Sequence, residues 1–260
     1  MTIKEITSSS NDIIKLIKKL QTKSKARYEE KLYIVEGFKQ IRELEQERIH
    51  FIVVAGKEKL QNIDVAVNTT VILVSDKIFL EISQDPSPQG ILAVVKMKKY
   101  SFDESKLSSQ GIYLLIDSLQ DPGNLGTIIR VADAVGIDGI FMNMTTVDVY
   151  NPKVIKSTMG SLEHVELFLV DSLPELMKTM KDKGIRLFGA YLDESMEHFK
   201  ADFKVGCGIV IGNEGQGISD EVIACVDQRI KIPMPGKSES LNASIATSVI
   251  LYEVLRQRGI

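Results

Sequence analysis

The sequence predicts an α/β protein: a small N-terminal α/β unit followed by a larger unit with a mostly parallel sheet covered by helices on both faces. Three observations support this. From Gly111 onward, short apolar runs alternate with helical patterns. Those runs are unalternating, as in strands buried on both faces. A polar, serine-rich stretch at 100–110 separates them from the first hundred residues.

The first unit is expected over residues 1–99. A helix is predicted at 11–20, where Ile13, Ile14, Ile17 and Leu20 recur at helical spacing, with Ser10 or Asn11 as its cap. A strand at 32–35 and a short helix at 39–46 follow. Apolar runs at 51–55, 71–74 and 91–97 read as strands, the last entered through the turn Pro86-Ser87-Pro88-Gln89-Gly90. Residues 100–110 are the expected linker. The second unit, 111–260, carries strands at 112–116, 139–142, 165–170, 185–190, 208–211 and 230–232. Its helices are expected at 125–135, 153–159, 173–183, 219–224 and 241–258. In the last, Leu241, Ile245, Val249 and Tyr252 lie beside Ala246, Ile250 and Val254. That stripe is broader than one sheet face needs and predicts a subunit interface as well.

Composition narrows the function classes. Hydrophobic residues at 44% and charged residues at 26% suit a soluble globular protein. No apolar run reaches the roughly 18–20 residues that span a bilayer, and Met1-Thr2-Ile3-Lys4-Glu5 lacks a signal peptide's apolar stretch. A cytoplasmic protein with no membrane partner is expected. Cys207 and Cys225 form no metal-ligand pattern, and Cys207 sits in an apolar run expected in the core. His50, His164 and His198 stand alone, so no metal site is expected. The net charge of −3 is unevenly placed: residues 1–100 hold 17 Lys and Arg against 13 Asp and Glu, the remainder 15 against 22. Lys15, Lys18, Lys19, Lys23, Lys25, Arg27 and Lys31 cluster against only Glu29 and Glu30. A solvated helix face accounts for such a run; its place in a separate unit also fits phosphate contact.

Three loops carry the chemistry, each placing small and polar residues directly after an apolar strand, where α/β folds bind ligands. The first, Asp121-Pro122-Gly123-Asn124-Leu125-Gly126, opens a helix with Asn124 as a candidate cap. Leu125, Ile128, Ile129, Ala132 and Val135 share one face of that helix, and at 100° per residue Arg130 lies about 160° from its centre. Arg130 therefore points to solvent, a ligand or a partner. The second loop, Gly212-Asn213-Glu214-Gly215-Gln216-Gly217, surrounds one acid with three glycines. It is neither the dinucleotide fingerprint nor a phosphate loop. The third runs from Ile230-Lys231-Ile232-Pro233-Met234-Pro235-Gly236 to Ser240-Leu241-Asn242-Ala243-Ser244, where Asn242 and Ser244 could cap the final helix.

Together and in this order, Asn124, Gly126 and Arg130, then Glu214 within 212–217, then Pro233 with Ser240-Leu241-Asn242 closely resemble the motifs of the SpoU (TrmH-like) family of RNA ribose methyltransferases. Ser157-Thr158-Met159-Gly160 also resembles a family segment, with Thr158 and Met159 as departures. The N-terminal unit is similar to the family's substrate-binding extension, a small ribosomal-protein-like fold, through 25–27, Val35-Glu36-Gly37 and Pro88-Gln89-Gly90.

The resemblance implies a C-terminal trefoil knot, S-adenosyl-L-methionine as methyl donor, and a homodimer with the site near the interface. It implies cofactor contacts, largely through backbone, at Gly189, Ala190, Gly212, Ile232 and Leu241. With the basic run, it also gives Lys23, Lys25 and Arg27 as the expected RNA contacts. The resemblance makes Arg130 the activator of the 2'-hydroxyl; because a guanidinium is too weakly acidic to give up its proton and act as a base, the expected role is to hold the adjacent phosphate and stabilise the developing alkoxide. Asn124 would hold the loop or touch ribose, Glu214 would orient its neighbours, and Ser240 and Asn242 would position donor or acceptor. Ribosomal RNA is the expected substrate, with transfer RNA second. The rivals are an RNA-binding protein that keeps the knot without catalysis and a methyltransferase acting on a base nitrogen.

Overall fold

The computed structural model describes residues 2–63, 66, 68–98 and 102–260. In chain order the elements begin with β1 (Thr2–Ile6), α1 (Asp12–Thr22), α2 (Ser24–Glu30), β2 (Leu32–Glu36), α3 (Phe38–Arg42), β3 (Ile49–Ala55), β4 (Thr70–Val74), α4 (Asp76–Ile82) and β5 (Ile91–Lys96). They continue with β6 (Ile112–Ile116), α5 (Pro122–Val135), β7 (Gly139–Asn143), α6 (Pro152–Thr158), β8 (Leu167–Val170), α7 (Leu173–Asp182) and β9 (Arg186–Ala190). Last come β10 (Met196–Glu197), β11 (Cys207–Ile211), α8 (Asp220–Ile223), β12 (Gln228–Lys231) and α9 (Ala243–Arg258). Contacts group the chain into two units, Met1–Lys99 with Asp148–Glu163, and Tyr100–Val147 with His164–Ile260. Among the described residues no helix is long and apolar enough to cross a membrane.

The first unit is a five-stranded sheet in the order β1-β4-β3-β5-β2. β1, β4 and β3 run parallel, and β5 is antiparallel to both β3 and β2. Asn11 starts α1 by accepting a hydrogen bond from the Ile13 N–H at 2.9 Å. The helix then buries Ile14, Ile17 and Leu20 beside Ile78, Phe79 and Ile82 of α4, against Val53, Ile72 and Val94 of the sheet.

Residues 148–163, expected inside the C-terminal unit, pack on this first one, and two buried ion pairs explain why. Glu163 accepts hydrogen bonds from the Tyr33 hydroxyl at 2.7 Å and from the Arg48 guanidinium. Asp148 accepts from Arg27 Nε at 2.9 Å and from Ser24 Oγ at 2.8 Å, while Arg27 Nη1 donates to the Leu20 carbonyl at 2.6 Å. Arg27 is only 3% exposed. Its expected RNA contact is therefore corrected: the guanidinium is spent inside the fold on Asp148 and the Leu20 carbonyl. Lys23 and Lys25 remain exposed, Lys25 lying 3.7 Å from Glu29.

The second unit is a seven-stranded, fully parallel sheet in the order β10-β12-β9-β11-β6-β7-β8. β6 and β11 lie at its centre, and every residue of both is buried. That burial is the reason for their unalternating apolar sequences. Cys207 is in the core as expected, where burial pushes its thiol up to about 11. The described part of the expected linker also joins this unit. The Phe102 ring meets Phe141 and Phe168 edge-on, and Leu107 is buried. Parallel strands put the loops after β6, β9, β11 and β12 at one edge of the sheet, and strand order reverses there.

Candidate active site

Each motif loop leaves the carboxyl end of a strand. After β6, Asp121 caps α5: its Oδ1 accepts the Asn124 N–H at 2.7 Å, and Pro122 sits in the first turn. The cap is thus Asp121 rather than Asn124, which frees the Asn124 side chain for other partners. After β11, the second loop closes on itself through paired backbone bonds between Asn213 and Gly217. A Cβ on Gly212 would lie 2.2 Å from the Gly217 carbonyl carbon, so only glycine fits there. After β12, the chain runs through the Pro/Gly loop to Asn242, whose Oδ1 caps α9 by accepting the Ser244 N–H at 2.9 Å and the Ile245 N–H at 3.3 Å.

One hydrogen-bonded chain joins the three loops. Glu214 accepts the Gln120 N–H at 3.1 Å, the Asp121 N–H at 2.9 Å and Asn124 Nδ2 at 3.0 Å. Asn124 Oδ1 in turn accepts Asn242 Nδ2 at 2.8 Å. The ends of this chain fix its direction. A carboxylate only accepts and a helix N-terminus only donates, so both amides between them have one permitted orientation. Burial alone would raise the Glu214 carboxyl, but hydrogen bonds from Asn124, Gln120 and Asp121 win and hold it below the usual carboxylate range.

Beside this chain lies a cavity of about 580 Å³, within the range that takes a small-molecule cofactor. Ala190, Gly212, Ile232 and Leu241 line it, as do Glu214, Ser240 and Asn242. Gly189 does not line it. It lies buried one residue short of the cavity, where a Cβ would come 2.8 Å from Ile223. Its small size serves helix packing. Asn124 touches the cavity wall through Asn242 without lining it. Arg130 is exposed and does not line the cavity of its own chain. Six residues past Asn124 on α5, it stands about 9 Å farther along the axis and about 120° around it. Motif reading missed Tyr191, Asp193 and Glu239, which also line the cavity. For Asp193, position just beyond an apolar strand end was the available signal.

The SpoU rRNA Methylase family matches residues 111–252, the stretch holding every one of these loops. The chain belongs to that family. The MRM3-like substrate binding domain matches residues 11–93. Among relatives, the Bacillus subtilis 23S rRNA (guanosine(2553)-2'-O)-methyltransferase RlmP is 30% identical over 254 residues, 97% of this chain and 99% of its own length. The AdoMet-bound rRNA methyltransferase from Sinorhizobium meliloti superposes with a TM-score of 0.86 at 30% identity, covering 98% of each chain. AviRb from Streptomyces viridochromogenes, in complex with AdoMet, gives 0.86 at 28% identity over 95% of this chain and 98% of its own. The expected α/β architecture, N-terminal substrate-binding unit and family are borne out, and the C-terminal sheet carries the family's trefoil knot.

Proposed function

We propose that this chain transfers the methyl group of S-adenosylmethionine to a ribose 2'-hydroxyl of RNA, with ribosomal RNA as substrate. The observation that carries the reading is the convergence of three sequence-distant motifs, through Glu214, Asn124 and Asn242, beside a cofactor-sized cavity. The names of the end-to-end relative and of the two AdoMet-bound neighbours support substrate and donor.

The cavity residues fit that donor. Ile211, Ile230, Ile232, Leu241 and Ile250 offer apolar walls for an adenine. Asp193 and Glu239 outnumber the one cation, Lys231, so the field favours a positively charged ligand. When bound, the cofactor supplies a methyl group already activated by its positive sulfur. The protein then has to place the hydroxyl and stabilise the charge that appears as its proton leaves. Arg130 meets the second need: a planar, permanently charged guanidinium binds the neighbouring phosphate and the developing alkoxide together. Glu214, Asn124 and Asn242 position loops, and Ser240 stands at the cavity mouth to orient donor or acceptor. Exposed Lys23 and Lys25 contact RNA phosphates from the N-terminal unit.

The working form is a homodimer. Ile250 and Val254 of α9 are buried in the chain, while Leu241, Ile245, Val249 and Tyr252 are 37–55% exposed along another face. Leu241 belongs both to that face and to the cavity, so a second copy seated there covers the cavity mouth and supplies the Arg130 that the chain's own geometry leaves remote. Two measurements test the reading. Calorimetry detects S-adenosylmethionine binding to wild type, and Arg130→Lys at saturating RNA loses most turnover. A fully active lysine variant would remove the role given to the guanidinium fork.

A further inference from the structure

Asp117 and Ser118, between β6 and the first motif loop, lie outside the cavity, yet both are held by polar contacts from several loops. Asp117 is 2% exposed. Its Oδ1 accepts from Asn143 Nδ2 at 2.8 Å and from the Ser118 hydroxyl at 3.1 Å, and its Oδ2 accepts the Ser219 N–H at 2.8 Å. Its own N–H donates to the Ile211 carbonyl at 2.8 Å. This buried carboxylate therefore ties the end of β6 to the end of β7 and to the residues that leave the glycine-rich loop.

Ser118 holds a left-handed backbone, φ 59°, which a residue with a Cβ adopts only when its surroundings enforce it. They do so here. The Ser118 N–H donates to Asn143 Oδ1 at 3.0 Å, and its hydroxyl meets Thr145 Oγ1 at 2.7 Å. Its carbonyl accepts from Gln120 Nε2 at 3.0 Å and from Asn213 Nδ2 at 2.9 Å. Asn213 Oδ1 then accepts the Gly215 and Gln216 N–H groups, shaping the loop that lines the cavity.

We infer that Asp117 and Ser118 are positioning residues for methyl transfer. They latch the loop leading to Asn124 onto the cofactor loop, so that acceptor and donor sides keep one spacing. Glu214 fastens the same two loops from the cavity side. Each loop has its own internal bonds, the Asp121 cap in one and the Asn213–Gly217 pair in the other. Losing the latch therefore leaves both loops folded and lets their separation drift, which penalises the reaction more than binding.

This inference rests on the methyltransferase reading above, and the test keeps the two apart. The isosteric Asp117→Asn turns an acceptor oxygen into a donor facing Ser219 N–H or Asn143 Nδ2. Ser118→Gly removes the hydroxyl while relieving the left-handed strain. The expected result for both is a fall in kcat on the order of 10- to 100-fold, with Kd for S-adenosylmethionine and for RNA within about 3-fold of wild type. For Ser118→Gly the Tm stays level or rises, a combination that a merely structural role does not produce. An active wild type whose two variants keep kcat within about 3-fold overturns this role alone. A kcat loss that tracks a lower Tm overturns it in favour of simple stability. A wild type inert toward RNA and cofactor overturns the methyltransferase reading and this role together.

Discussion

The amide–carboxylate chain can be broken by changing one atom. Asn124→Asp replaces Nδ2, which donates to Glu214 at 3.0 Å, with an oxygen. Two carboxylate oxygens then face each other at that distance, and a donor bond is lost. Unit charges 3 Å apart repel by about 1.4 kcal/mol in bulk water and about 5.5 kcal/mol at an effective dielectric of 20. Because Glu214 is exposed while Asn124 is buried, a value near 2 kcal/mol is expected, which raises one carboxyl of the pair by roughly one to two pH units. Above that raised value both groups are ionised and the loops are pushed apart. Below it one proton is shared and the acid O–H donates as the amide did. The variant should therefore lose activity at neutral pH and recover part of it as pH falls toward about 5. Wild type has the opposite sign. Its Glu214 is depressed in the folded protein, so the clamp is complete above the ordinary value of 4.5 and is lost as pH falls through the depressed one. The assay is single-turnover methyl transfer from pH 5 to 8, with thermal melts at each pH. An Asn124→Asp profile parallel to wild type would refute the direction assigned to the chain.

Three further outcomes are expected. Arg27→Ala should destabilise the protein by about 3 kcal/mol or more in urea unfolding, because it leaves Asp148 without its buried partner; a change in RNA affinity with full stability would contradict this. Replacing Lys23 and Lys25 together by Ala should weaken RNA binding across sequences and lower the salt-dependence slope by about 1 to 2, with Tm unchanged. Ile245→Asp, on the exposed face of α9, should give a monomer in analytical ultracentrifugation and abolish turnover while the chain stays folded.

The catalytic half was more legible in the sequence than the N-terminal half, for physical reasons. Strands buried on both faces announce themselves as apolar runs, which is why β6, β7, β9 and β11 stand within a residue or two of expectation. β1 was not expected: of Thr2–Ile6 only Ile6 is buried, so this edge strand has no apolar signature. The expected linker carries just two large apolar side chains among its described residues, Phe102 and Leu107, and both pack against the second unit. Arg27 looked like one more cation in a basic run. What buries it is Asp148, a partner 121 residues away. The motif residues were found, but their order of connection was not. Whether Asn124 caps its helix or bonds Glu214 depends on Asp121 taking the cap first. Asp117 and Ser118 left no trace, because most of their partners come from other loops.

The central claim is best tested on the RNA product. Ribosomal RNA incubated with the protein and S-adenosylmethionine carrying a labelled methyl group is hydrolysed in alkali, which cleaves wherever a 2'-hydroxyl is free. The label should emerge in a single alkali-resistant dinucleotide, since a 2'-O-methyl group blocks cleavage at its own nucleotide. Label released in mononucleotides would place the methyl on a base and contradict the account.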